Sequence, residues 1–575
     1  MAKSEQLVNV IDDFRAAKLG DRRRTDRLVS VANDIYADPG RSLPEIFKDP
    51  SQLEGAYRLL ANKKVKPEKI IEPHLEHTAK RASQCDTVLV VHDTTTFAFS
   101  IGARRGLGVV DTTNKVGFYF HSAFCIGTDG EPLGVVYMHA WNRTGRVRGR
   151  CPQSMLQYDP DSESQRWLES THESDDAIRR AVEFGNAGPV PRIIHVMDRE
   201  SDFQALTIDM IEHGRSFVFR AKNNRRLEPG RGKTDKKLFT SVAETEVRFK
   251  DWHQVVTRRR EHAPNESKRC GGTAKKRERQ PPTTKTDRRW AQLEVRAMKA
   301  WVFPSNGHHA HVPDEGYPIN IVHVQEIFPR DGGKALCWYL ITDQSVETAE
   351  DIRFVIDCYC ERWRIEEFHK ALKTGCTFEN HQFGCGENFK RMLAIYVAVA
   401  VQMLRARWYE RERPEADATV VFSEDQIAAL RSHLEYTGRK QVLSERPTVC
   451  EMFKQVARLG GFIEYGGRQP GWLILSRAWA ELERCTHFYL VGRASLRLEQ
   501  MAKSRKKKKD EASICEDLAS REGEVGENSE DSKRQKTIEQ LRQKIRRIDR
   551  KYSCRQHGPK GTSTGIITVG DVLER

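Results

Sequence analysis

The chain has 575 residues, 38% of them hydrophobic and 31% charged, with a formal net charge of +15 and a pI near 9.2. That length exceeds what one compact core supports, so about two to four domains are expected. The charge favours an acidic partner, nucleic acid ahead of an anionic membrane surface. No apolar run reaches the roughly 18 residues of a helical membrane span, and no N-terminal stretch resembles a signal peptide. The 13 cysteines include no CxxC pair, so reduced thiols in a cytosolic compartment are expected rather than a disulfide or zinc framework.

Residues 1–75 read as helical. Leu7, Val10, Ile11 and Phe14 recur at helix spacing, and after Gly20 the segment LGDRRRTDRLVSVANDIY continues the pattern. Arg22, Arg23, Arg24 and Arg27 crowd the start of that second helix and are candidate phosphate contacts. A third helix is expected around Gln52 to Leu60.

From about residue 86 the pattern changes to strands. TVLVVHD is a short, β-branched apolar run of the kind buried on both faces of a sheet. GFYFHSAFCIG and PLGVVYMHAW look like its neighbours, joined by a turn at Thr128-Asp129-Gly130. PRIIHVMD is a second buried strand, a helix is expected from Asp202 to Glu212, and SFVFRAK is another strand. Residues 221–345 then read as a β-rich basic insertion. Arg258 to Arg289 carries twelve Lys or Arg against four acids, between TEVRFKDWHQVV and WAQLEVRAMKAWVF. ALCWYLITD returns to core strand character, and one long helix is expected from about Ala349 to Lys373. The apolar stretch from Met392 to Leu404 reads as a buried helix, and helices dominate to about residue 490. Residues 491–575 are a charge-blocked tail, expected to be disordered apart from a short helix around Ile538 to Ile548.

Two features carry chemistry. Asp93 and Asp198 each end a buried apolar strand, in VVHD and IHVMD. A carboxylate at the edge of a core is costly unless something positive meets it, and strand ends opening on a cleft are where α/β folds place catalytic groups. The second feature is the helix YCERWRIEEFHKALK. At about 100° per residue, Tyr359, Arg362, Glu366, Lys370 and Lys373 fall within an arc of roughly 80°. Ion pairs on a solvated face would explain that stripe equally well. With the two aspartates added, three carboxylates can hold two divalent hard cations, for which Mg²⁺ is the natural choice. Two such ions about 4 Å apart suit phosphodiester displacement, with Arg362 as a bidentate fork and Lys370 and Lys373 as point charges on flanking phosphates.

These residues resemble a known family. Tyr359, Arg362, Glu366 and Lys373 match the Tyr-x2-Arg-x3-Glu-x6-Lys signature of DDE transposases of the insertion-sequence-four group, and HDTT and MDRESDF match the group's two acidic motifs. LGDRRRTDRL, EGAYRLL, RLGGF and PGW extend the resemblance over roughly residues 15–490, with residues 143–163 aligning poorly. The resemblance implies an α/β fold with a ribonuclease-H-like catalytic core over residues 76–380. It also implies a helical DNA-binding domain over 1–75 and a helical region over 381–490 that dimerises. Asp93, Asp198 and Glu366 would hold two Mg²⁺ ions, replaceable by Mn²⁺, and Trp338 would stack a flipped base. Double-stranded transposon ends and target DNA would be the partners of a homodimeric synaptic complex in the bacterial cytoplasm, at the nucleoid. The implied reactions are strand hydrolysis, hairpin formation and strand transfer. An inactive end-binding relative or repressor is the alternative. A phosphohydrolase acting on small substrates would have no need of so wide a basic surface.

Overall fold

The structure is a computed structural model. It describes residues 10–522 except 100–104, 111–114, 143–163, 186–187, 229–235, 262–282, 304–312, 314, 330–334, 439–442 and 465–468, together with residues 539, 540 and 543. Two compact units are distinguished, residues 1–484 and 485–575.

The first unit opens with helices α1 (Val10–Arg15), α2 (Arg22–Ala37), α3 (Leu43–Ile46), α4 (Pro50–Ala61) and α5 (Pro67–Ala82). Asp21 and Asp49 cap α2 and α4 by accepting from Arg23 N and Ser51 N, which satisfies amide groups that helix geometry leaves without partners. Leu28, Val31, Ala32 and Ile35 bury one face of α2. The arginine cluster occupies the first turns of the same helix.

The strands are β1 (Thr87–Phe99), β2 (Gly108–Val109), β3 (Val116–Gly127), β4 (Pro132–Trp141), β5 (Arg192–Met197), β6 (Ser216–Arg220), β7 (Val247–Glu261), β8 (Thr283–Val302), β9 (Tyr317–Ile327) and β10 (Cys337–Thr342). They form one mixed sheet in the order β2-β3-β1-β5-β6-β10-β9-β8-β7, with β4 also on β3. β1, β5 and β6 are mutually parallel, whereas β3 runs antiparallel to β1 and β4 to β3. The β3–β4 hairpin turns at Gly130, whose φ of 80° lies where glycine is favoured. The β-rich segment is joined edge-on to the core through the β6–β10 pair and extends the same sheet. β9, within YPINIVHVQEI, is a strand not expected from the sequence. The basic loop at its centre lies partly outside the described residues.

Helices cover both faces. α6 (Gln165–Gly185) and α7 (Gln204–Glu212) lie between strands in sequence, α8 (Leu238–Ala243) precedes β7, and α9 (Ala349–Cys360) and α10 (Trp363–Lys370) follow β10. α11 (Gly386–Glu412) is buried all round from Met392 to Val401, as its continuous apolar run predicts. α12 (Glu424–Tyr436) and α13 (Val449–Leu459) complete the helical region, and α14 begins at Trp472. Phe368 of α10 stacks on Phe124 of β3 with ring centroids 5.1 Å apart, which seats α10 against the sheet.

The single helix expected over 349–373 is instead broken. α9 stops at Cys360, α10 starts at Trp363, and Ala371–Gly375 forms a π-helical turn. At the first break Arg362 N bonds Tyr359 O at 3.1 Å and Arg364 N bonds Glu361 O at 3.0 Å, so i−3 bonds tighten the turn. Thr348 caps α9 with a reciprocal box, accepting from Asp351 N at 3.1 Å while Asp351 accepts from Thr348 N at 3.1 Å. Thr348→Ala should cost about 1 kcal/mol, read as a lower urea midpoint with an unchanged slope.

In the second unit, α14 continues to Glu522. Residues 491–522, expected to be disordered, are therefore helical: Leu, Arg, Lys, Glu and Ala dominate them, with one glycine and no proline. The short helix expected near Ile538 to Ile548 lies mostly outside the described residues.

Candidate active site

The β1–β5 pairing decides where the two aspartates stand. Val88 lies opposite Ile193 and Val91 opposite Val196, the last parallel pair of the two strands. Continuing that register by two residues brings Asp93 of β1 level with Asp198, just past the end of β5, on strands that lie about 4.8 Å apart where they are paired. Asp198 follows directly on β5, as the sequence predicts. Asp93 does not end its strand. It sits in the middle of β1, which remains paired with β3 as far as Phe99 opposite Val116. Phe97 and Phe99 are buried against Phe118 and Phe378, and that packing carries β1 beyond the point where its parallel partner stops.

Each aspartate has one oxygen committed. Asp93 Oδ1 accepts from Thr94 N at 2.8 Å, and Asp198 Oδ1 accepts from Glu200 N at 2.7 Å, capping the short turn Arg199–Ser201. Asp93 Oδ2 lies 3.6 Å from His369 Nδ1. His369 is buried, and burial together with the charge of Lys373 pushes its pKa down to about 3, so it brings no positive charge. Burial and the neighbouring Asp198 push the Asp93 carboxyl up to about 7, with Arg362 opposing them.

Glu366 stands half-exposed on α10 and accepts from Arg362 Nη2 at 2.6 Å. Glu367, one residue on, points away and pairs with Arg411 of α11 at 3.1 Å. Arg362 links the acids, since its charge acts on Asp93 as well as on Glu366. Lys373, on the π turn, lies 5.5 Å over the Phe97 ring. Burial lowers its pKa while Glu379 and Asp93 oppose that shift. Lys370 closes α10, half-buried. Tyr359 is buried, with the Arg362 guanidinium 5.9 Å from its ring centre and Trp338 edge-on at 5.3 Å. The sequence-level stripe is thus no uniform solvent face.

Among the described residues the three acids are not a group whose ligand atoms all lie within 4.8 Å of one another. His172, Asp209 and His213 are such a group. Arg215 Nη1, however, lies 3.2 Å from both His172 Nε2 and Asp209 Oδ2, so a guanidinium already occupies that cluster. Elsewhere, Arg22, Arg23 and Arg27 are exposed on α2, while Arg24 donates to Leu19 O at 2.9 Å.

Sequence reasoning missed the polar residues around the acids. His92 immediately precedes Asp93 and His195 lies three residues before Asp198, so strand alternation turns both away from the acids. His369 and Ser122 sit on the acid side, joined at 3.2 Å.

Residues 10–65 match the transposase DNA-binding family and residues 161–401 match the transposase DDE domain. The chain carries a transposase DNA-binding region and a transposase DDE domain. The matched DDE span holds Asp198 and Glu366, and Asp93 lies upstream of it, so the place of Asp93 beside them rests on the strand register. DDE domains of transposases generally use divalent metal ions. A solved structure of the piggyBac transposase synaptic complex with hairpin DNA is similar at 10% identity over 83% of this chain and 80% of that one, with a TM-score of 0.33. No helix among the described residues is long and apolar enough to cross a membrane, and the nine described cysteines are free thiols.

Proposed function

We propose that this transposase cuts and rejoins DNA at transposon ends, with Asp93, Asp198 and Glu366 holding two divalent cations, Mg²⁺ or Mn²⁺. The observation that carries the reading is the part-buried Asp93, level with Asp198 in the strand register, with the His369 ring 3.6 Å from its outer oxygen and Arg362 of the α9–α10 turn acting on it. Two carboxylates so placed repel one another unless a cation joins them. Oxygen donors of this kind fit a hard divalent ion. When bound, the ions supply an activated attacking oxygen and a stabilised leaving oxygen at the scissile phosphate.

The chain's own residues do the rest. Asp93, Asp198 and Glu366 would hold the ions as carboxylates, Glu366 exchanging its pairing with Arg362 for that role. Arg362, released from Glu366, offers its fork to a non-bridging phosphate oxygen. Lys370 and Lys373 add charge along the same strand of DNA. Tyr359 and Trp338 form an aromatic wall on which an extruded base would stack. These roles fit the insertion-sequence-four group and a cut-and-paste course of strand hydrolysis, hairpin formation and strand transfer. Two ends would be held by a homodimer through residues 381–490, around a ribonuclease-H-like core spanning 76–380.

Residues 10–65 supply DNA binding, and the exposed Arg22, Arg23 and Arg27 are the phosphate contacts proposed there. Replacing the three by alanine should lower the slope of log K against log salt by roughly one unit per lost contact. An unchanged slope in a fluorescence-anisotropy titration would remove them from the interface. The function itself is tested by incubating purified protein with its element's terminal inverted repeats and Mg²⁺. Nicked, hairpin and strand-transfer products are expected, and binding without any cleaved product would leave an end-binding repressor instead.

A further inference from the structure

Behind the aspartates, on the opposite face of the sheet, runs a buried line of side-chain hydrogen bonds. Ser170 Oγ lies 2.8 Å from His92 Nδ1, His92 Nε2 lies 2.9 Å from His195 Nδ1, and His195 Nε2 lies 3.0 Å from Asp175 Oδ1. Arg215 Nε donates to Asp175 Oδ2 at 2.9 Å and closes the line. His92, His195 and Ser170 have no solvent exposure, and every ring nitrogen in the line has a partner. Neutral His92 needs one donor and one acceptor, and the Ser170 hydroxyl supplies whichever His195 does not.

The place of this line in the strand ladder gives it a consequence for the acids. Backbone pairing of β1 with β5 stops at Val91 and Val196, two residues short of Asp93 and Asp198. Beyond that point β5 ends and the chain turns off through Arg199–Ser201. His195 lies inside the ladder, opposite Val90, and His92 lies one residue past its end, so their contact reaches back to the last paired rungs and anchors the first unpaired residue of β1, next to Asp93, on β5. α6, through Ser170 and Asp175, fixes both rings from behind.

We propose that His92, His195, Ser170 and Asp175 are positioning residues that set the spacing of Asp93 and Asp198 for a divalent cation. This rests on the assignment of those aspartates as metal ligands. Residues hydrogen-bonded directly to metal ligands typically contribute 10- to 100-fold to metal affinity; this line touches neither aspartate and would act through the backbone of β1 and β5, so an effect near the lower end of that range is expected. A purely structural line would support the fold and leave metal affinity of the folded protein alone.

The test uses the full chain and Mn²⁺, with free ion counted by electron paramagnetic resonance. His195→Gln keeps a group toward Asp175 and loses the one toward His92, whereas His195→Asn keeps the one toward His92. His195→Gln is expected to weaken Mn²⁺ binding about tenfold, with end-DNA binding unchanged and cleavage recovering at high Mn²⁺. His195→Asn is expected to stay within about threefold of the parent. Ser170→Ala, which removes a partner from α6 and leaves both strands intact, is expected to weaken binding in the same direction, and it decides the matter if His195→Gln does not fold. Folded His195→Gln or Ser170→Ala that binds Mn²⁺ as the parent does overturns the proposal. Asp198→Asn separates the two claims. If it weakens Mn²⁺ binding while the positioning variants do not, only the positioning role fails, and if it has no effect, the metal-ligand assignment fails first.

Discussion

Asp93→Asn, Asp198→Asn and Glu366→Gln are each expected to lower strand cleavage at transposon ends by about 1000-fold or more, with end binding nearly unchanged. Polarising a phosphoryl oxygen by a bound cation is worth several kcal/mol, and about 4 kcal/mol corresponds to roughly three decades in rate. Each substitution removes one anionic ligand and alters little else. Asp93 and Asp198 keep their backbone-facing oxygen contacts to Thr94 N and Glu200 N in the amide form. Glu366 is half-exposed, so its amide has room. The DNA-binding region at residues 10–65 lies apart in sequence from all three, which is why binding should survive. Gel-shift affinity and single-turnover cleavage on the same substrate separate the two effects, and cleavage retained by any of the three variants removes that residue from the site.

The second large effect is on stability, and its sign depends on pH and metal. Asp93 has a pKa of about 7 in the fold against an ordinary 3.8. Below pH 3.8 it is protonated whether folded or not and costs nothing. As pH rises from about 4 to about 7 the unfolded chain ionises first, so stability falls, and above pH 7 the full penalty of a part-buried, repelled carboxylate is present. That penalty is about 4 kcal/mol. Asp93→Asn should therefore raise the unfolding free energy at pH 8 in chelator by that amount and leave it nearly unchanged at pH 4. Adding Mg²⁺ or Mn²⁺ at pH 8 should reverse the order, because a ligand that binds only the folded parent stabilises it. Equal stability of parent and variant at pH 8 in chelator would mean that Asp93 carries no such strain.

Much of this was legible in the sequence, for identifiable reasons. β1, β3, β4, β5, β6 and β10 each contain an apolar run, a pattern that can be read without tertiary context. The acids could be picked out because each interrupts such a run. What the sequence did not reveal lies where tertiary packing overrides local pattern. β1 continues past Asp93 because Phe97 and Phe99 pack on β3 and on Phe378. The helix over 349–373 breaks at Glu361 and again at Ala371, although no proline or glycine marks the first break. α6 went unread because its buried face is largely polar, with Ser170, Thr171, Ser174 and Asp175 beside Trp167, Ile178 and Val182. A count of apolar residues at helical spacing cannot find such a face. The same polar face holds His92 and His195, so a missed helix concealed the residues behind the acids. The two histidines themselves were readable, since each lies an odd number of positions from its aspartate and so on the other side of its strand.

The most direct test places the metal itself. Fe²⁺ can occupy an Mg²⁺ site, and with ascorbate and peroxide it generates radicals that cut the polypeptide next to the bound ion. Fragments ending near residues 93, 198 and 366, suppressed by excess Mg²⁺ and lost in Asp198→Asn, are the predicted result. Cuts confined to the neighbourhood of His172, Asp209 and His213, or cuts that Mg²⁺ does not suppress, would contradict the assignment of Asp93, Asp198 and Glu366.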